Sequence, residues 1–212
     1  MVKPTNHRHY AAASLAAALF SFVLLAQALW IPAKAELAQW LIERSWQRIQ
    51  AGETDARPWP WADTRPAGLL SVPGRGIRQF VLEGNSGRNL AFGPVFLDGG
   101  GSGQDLVISG HRDTHFRFLR QLARGDRLQV QVLDSVQQYE VIETEIVDSR
   151  LMDLVIEPGI SRLSLVTCFP FDTPQAGGPL RYVVTALPTG KSTNSAARSK
   201  ERFSKQYLPS SG

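Results

Sequence analysis

At 212 residues the chain has the size of one ordinary domain with attachments, which excludes a multidomain machine. Its 43% hydrophobic, 9% aromatic and 20% charged residues supply enough apolar mass for a core, which excludes a wholly disordered polymer. The formal net charge of +4 belongs to the tail, where residues 191–212 carry five basic side chains against Glu201 alone; residues 1–190 balance, so no clustered basic face and no nucleic-acid partner are expected.

Residues 11–31 form an uncharged run of 21 residues. As a helix this run spans roughly 31 Å, the thickness of a bilayer's hydrocarbon core. Lys3 and Arg8 precede it, so the positive-inside rule predicts residues 1–10 in the cytoplasm and everything after residue 31 outside the membrane. Ala33-Lys34-Ala35 has the form of a signal-peptidase site, but the apolar run is longer than a cleaved signal needs, and an uncleaved single-pass anchor is expected. Residues 32–66 then predict a short amphipathic helix, with Ala38, Leu41, Ile42, Ser45, Trp46 and Ile49 at helical spacing. It is followed by a linker over 51–66 in which Arg57-Pro58-Trp59-Pro60-Trp61 blocks helical continuation.

Between residues 67 and 188 the pattern predicts strand after strand: 69–72, 79–83, 90–96, 106–109, 128–133, 138–147, 163–167 and 181–187. Gly, Pro, Asn and Asp clusters separate them, and eight strands at this density predict an all-β closed barrel. A helix is expected over 113–122, where Phe116, Leu119 and Leu122 are spaced by three after a capping-competent Asp or Thr. Residues 98–103, rich in glycine, read as a flexible loop and not as a phosphate cradle, since no Gly-Lys-Ser/Thr follows. The tail over 189–212 is basic, serine-rich and expected to be disordered.

Few residues carry chemistry. Cys168 is the only cysteine, so it forms no intramolecular disulfide; it is a buried inert thiol, an intermolecular link or a reactive nucleophile. It ends a strand just before Phe169-Pro170-Phe171, where the proline stops regular pairing, and a thiol there faces a cleft. Thiol catalysis needs a nearby base or cation. His111 also follows a strand, in Ser109-Gly110-His111-Arg112-Asp113-Thr114-His115, while His115 reads as structural. His111, Asp113 and His115 match no strong zinc spacing, and neither a metal nor another cofactor is expected. Arg181 opens the last strand; it is either a rim salt bridge or a fork of donors for a developing oxyanion.

Ser109-Gly110-His111-Arg112-Asp113-Thr114, then Leu165-Val166-Thr167-Cys168-Phe169-Pro170-Phe171, then Arg181 resemble the His, Cys and Arg motifs of the sortase family, in the family's order. The wording is similar to the class D-like and the Gram-negative (proteobacterial) sortases, the latter also in Lys34-Ala35-Glu36-Leu37-Ala38-Gln39. Leu165 stands where many members have a threonine. The resemblance implies an eight-stranded sortase barrel and a cysteine transpeptidase. Cys168 would attack an LPxTG-like signal at the C-terminus of an exported protein, His111 would shuttle the proton, Arg181 would hold the oxyanion or position the substrate, and Thr167 and Leu165 would contact substrate. The thioester acyl-enzyme would pass its acyl group to an amine of a cell-wall peptide or a protein lysine. The alternatives are a thiol hydrolase or L,D-transpeptidase-like wall enzyme, and a non-catalytic anchored barrel that binds. Leu187-Pro188-Thr189-Gly190 resembles a sorting signal but lacks its intervening residue, and reads as a strand end.

Overall fold

The computed structural model describes residues 7–84, 86–97, 105–151, 160–173, 177–190 and 193–194. The glycine-rich loop of residues 98–103 and the tail from 195 onward lie outside the described residues. The chain forms two compact units, Met1–Trp40 and Leu41–Gly212.

In the first unit the backbone is helical throughout its described part, within α1 (His7–Gln50). The side chains of Leu15, Leu19, Phe20, Phe22, Leu24 and Trp30 are each at least half exposed. Among the described residues no helix is long and apolar enough to cross a membrane. Several side chains of the 11–31 run lie outside the described residues. The helix predicted after this run is not separate: α1 includes both stretches, with Pro32 between them, and no further proline or glycine stands before Gln50.

The second unit is a closed barrel. Its strands are β1 (Pro66–Val72), β2 (Ile77–Leu82), β3 (Val95–Phe96), β4 (Asp105–Ser109), β5 (Arg127–Val132), β6 (Ser135–Asp148), β7 (Arg162–Cys168) and β8 (Leu180–Pro188). The hydrogen-bonded order is β5-β1-β2-β3-β4-β7-β8-β6, and β6 pairs back onto β5, which removes the open edges. β2–β3 and β4–β7 are parallel and the other pairs antiparallel. Each of the eight predicted strands has its counterpart. A ninth, β9 (Thr193–Asn194), adds to β6 from the tail, which was expected to be without structure.

Strand chemistry explains the layering. β5 alternates as a half-exposed strand should: Arg127 is exposed, while Leu128 and Val130 fill the barrel with Leu70, Ile108, Phe116 and Leu163. β7 is buried over 163–167 without alternation because both of its faces are covered. Leu163 and Leu165 enter the main core, whereas Val166 belongs to a second cluster with Val107 and Val183, flanked by Leu97 and Val147.

Two expectations are corrected. The apolar run at 90–96 is mostly not strand: Asn89–Ala91 is a 3-10 turn held by Ala91 N–H to Arg88 O and Phe92 N–H to Asn89 O, and only Val95–Phe96 pair. The element expected over 113–122 is a 3-10 helix at Arg117–Gln121, the geometry whose period is three, and it has no side-chain cap. The segment 51–66 is no free linker either. Ser45 Oγ donates to Ala56 O at 2.6 Å, Thr64 Oγ1 to Glu83 O at 2.7 Å, and Ala56 and Ala62 are buried. Trp59 packs edge-on to Phe92 at 5.1 Å, in a cluster with Ile42, Leu82 and Val95.

Candidate active site

The register of three adjacent strands decides what meets what. In the parallel pair, Val107 lies opposite Ser164 and Ser109 opposite Val166. Gly110 N–H continues the ladder to Val166 O at 3.1 Å. In the antiparallel pair β7–β8, Cys168 lies opposite Arg181. His111 follows Gly110, two residues past the end of β4, and the β4–β7 register carried past the strand end sets it level with Cys168, in one row with Arg181. Alternation assigns the row to the face of Val107, Val166 and Val183, which is the outer face of the barrel wall.

The same alternation corrects two expected substrate contacts. Leu165 is fully buried in the main core, and Thr167 is 2% exposed with its Oγ1 donating to Gly110 O at 2.7 Å. As odd-numbered neighbours of Cys168 in a pleated strand, both side chains point to the opposite face. Thr167 instead fastens the His-bearing loop to the Cys-bearing strand.

Gly110 is required by a close approach, since a Cβ there would fall 2.5 Å from the ring of Phe116, which is itself fully buried. His111 is exposed, and its Nδ1 accepts the Asp113 N–H at 3.2 Å. That contact puts the proton of a neutral ring on Nε2. Cys168 is a free, partly exposed thiol, which sets aside the buried inert reading. Its flank is an aromatic wall: Phe169, Phe171 and Tyr182 pack on one another with ring centroids 5.2 to 6.4 Å apart. Arg181 donates from Nη1 to Gly178 O at 2.7 Å and to Leu180 O at 2.9 Å, and makes no ion pair among the described residues. The rim salt-bridge reading thus finds no partner there. His115 bonds Gln79 at 3.1 Å, and burial holds its ring below the usual histidine range, as suits a structural residue.

Sequence reasoning passed over Arg112. It is 7% exposed, and its guanidinium donates to both oxygens of Asp113, to Pro170 O and to Thr173 O. Hydrogen bonds from Arg112 hold the Asp113 carboxyl below the usual carboxylate range. Asp113 was read as a helix cap, the commoner use of Asp after a loop, but its carboxylate serves Arg112. An Arg-Asp dipeptide beside a candidate base was the only signal in the sequence, and it is a weak one.

The sortase domain family matches residues 70–189. Sortase D of Bacillus subtilis (strain 168) is 30% identical over 125 residues, which is 56% of this chain and 61% of that protein; the chain thus spans under two thirds of the curated relative's length. The structure of a Clostridium perfringens sortase D5 transpeptidase superposes with a TM-score of 0.56 at 20% identity, covering 73% of this chain and 99% of the other. A Clostridium perfringens sortase C solved with the C-terminal cell wall sorting motif gives 0.53 at 19% identity, covering 75% and 91%.

Proposed function

The chain belongs to the sortase family, and on that premise we propose that it is a membrane-anchored cysteine transpeptidase of the class D-like branch. The observation that carries the reading is the pairing of Cys168 with Arg181 at the ends of β7 and β8, with His111 two residues past the end of the adjacent β4. It supplies a soft nucleophile, a proton shuttle and a permanent cation on one open face.

Cys168 passes its thiol proton to His111, and its sulfur attacks the Thr–Gly carbonyl of an LPxTG-like signal. A C–S bond forms, and Arg181 donates hydrogen bonds to the oxyanion. Collapse breaks the C–N bond, and the leaving amine takes the proton from His111. An incoming amine, from a wall peptide or a protein lysine, gives its proton to His111 as its nitrogen bonds the acyl carbon. The C–S bond then breaks and the thiolate is restored. Support for the substrate class comes from the sortase C neighbour solved with a sorting motif. Support for anchoring comes from the uncharged run 11–31 with Lys3 and Arg8 before it, and from the exposed Leu19, Phe20 and Phe22 of α1. The N-terminus then lies in the cytoplasm and the barrel outside the membrane.

The test is transfer from an LPxTG-like peptide to an added amine, followed by mass spectrometry. Cys168→Ala and His111→Ala abolish the product. Arg181→Ala lowers kcat/KM by about 10²–10³-fold, the effect of losing one oxyanion donor. Normal turnover by the Cys168→Ala protein sinks the reading, and product that forms only as free acid whatever the amine favours the hydrolase.

A further inference from the structure

We infer that Arg112 is a positioning residue of this site: its buried guanidinium clamps the loop after Cys168 onto the loop that carries His111. The inference rests on the assignment of Cys168 and His111 as the reacting pair.

Three observations carry it. The guanidinium reaches across the sequence, with Nη1 donating to Pro170 O at 2.8 Å and Nη2 to Thr173 O at 2.9 Å. These are carbonyls of the chain that leaves Cys168. The other edge grips its neighbour, with Nε to Asp113 Oδ1 at 2.8 Å and Nη2 to Oδ2 at 3.0 Å. Asp113 in turn presents its N–H to His111 Nδ1, so the residue that orients the imidazole is the one that Arg112 holds. The Arg112 side chain is 8% exposed, and only a forked planar cation meets acceptors in these directions at once.

Arg120 also reaches this loop, bonding Asp172 at 3.0 Å, but Asp172 is 78% exposed and such a pair contributes little. Loss of Arg112 therefore removes two buried hydrogen bonds that join the loop after Cys168 to the loop of His111. The guanidinium also holds its proton more firmly than an ordinary arginine, chiefly through its hydrogen bond to Asp113.

Because Cys168 is the only cysteine, alkylation of the full chain by iodoacetamide reports this thiol alone. Its rate at neutral pH is followed for the parent, Arg112→Met, Arg112→Lys and Arg120→Met. Arg112→Met lowers the rate about tenfold, because the released loops no longer hold the imidazole and the thiol in place. Arg112→Lys falls between the two, and Arg120→Met keeps the parental rate. A role in stability alone would shift melting and leave the rate of the folded protein in place. A parental rate in a folded Arg112→Met protein overturns the inference, whatever happens to transfer. Should that protein not fold, Asp113→Asn decides: a lowered kcat at unchanged KM and melting is expected, and a parental kcat overturns it. Alkylation needs no peptide donor, so a chain that shows the slowing but transfers no peptide retains the inference and loses the proposed function.

Discussion

At the scale of single residues the site depends on where side chains are missing as much as on where they are present. Gly110 has no Cβ because the Phe116 ring occupies that space 2.5 to 2.7 Å away, and Phe116 is locked in the main core against Phe118. Gly110→Ala forces ring or backbone to shift, at about 1–3 kcal/mol, the usual cost of overpacking. The displaced backbone leads straight into His111, so peptide transfer falls along with the urea midpoint. Gly74 is the control: nothing lies within 4 Å of its Cβ position, and Gly74→Ala leaves stability within about 0.5 kcal/mol. Equal midpoints for the two variants contradict the packing account. Strand parity is the other residue-scale lesson. Adjacency in a motif suggested that Thr167 and Leu165 meet substrate beside Cys168, whereas a pleated strand sends Cys168 outward and both of them inward.

At the scale of elements, the row of reactive residues exists only because β4 and β7 pair in one register. A slip of one residue would turn every side chain of one strand to the other face. The register is pinned at the far end of the pair, where Asp105 lies opposite Arg162 and accepts two hydrogen bonds from it, at 3.0 and 2.7 Å. The partners are unequally exposed: the Asp105 side chain is 1% accessible and that of Arg162 26%. Removing the arginine takes two hydrogen bonds from a carboxylate that water does not reach, whereas removing the carboxylate takes them from an arginine that water partly solvates. Arg162→Met therefore destabilises by about 3–5 kcal/mol and Asp105→Asn by about 1–3 kcal/mol, measured by chemical denaturation. The reverse order refutes the argument. The strands themselves were legible in the sequence because alternation and turn residues are local signals, and the closed barrel followed from their number. The parallel pairing of β4 with β7 was not, since an ion pair between Asp105 and Arg162 spans 57 residues and leaves no local mark. Nor was the short β3: Leu90 and Phe92 look like strand residues but pack beneath Trp59 from a 3-10 turn.

At the scale of the whole molecule, the net charge separates from the fold. The basic surplus lies in residues 191–212, and residues 41–190, which form the barrel unit, are slightly acidic. The boundary of that body is set by packing and not by the strands. A division at residue 67 follows the strand pattern, but the compact unit begins at Leu41. The end of α1 and the Pro/Trp segment cover the outer surface of β2 and β3. Ile42 is 1% and Trp46 6% exposed, Trp46 lies 6.5 Å from Phe80, and Trp59 covers Phe92. Burying side chains of this kind stabilises by about 1.5–3 kcal/mol each. Deleting residues 41–66 removes Ile42 and Trp46 and also uncovers Leu82 and Val95, a loss of about 5 kcal/mol against a typical margin of about 5–15. A protein starting at Leu41 therefore melts cooperatively, and one starting at residue 67 is largely unfolded or aggregates near room temperature, although it retains every strand and the whole row His111, Cys168, Arg181. Calorimetry of the two decides, and a fragment from 67 that melts within about 5 °C of the longer one shows that the covering segment is dispensable.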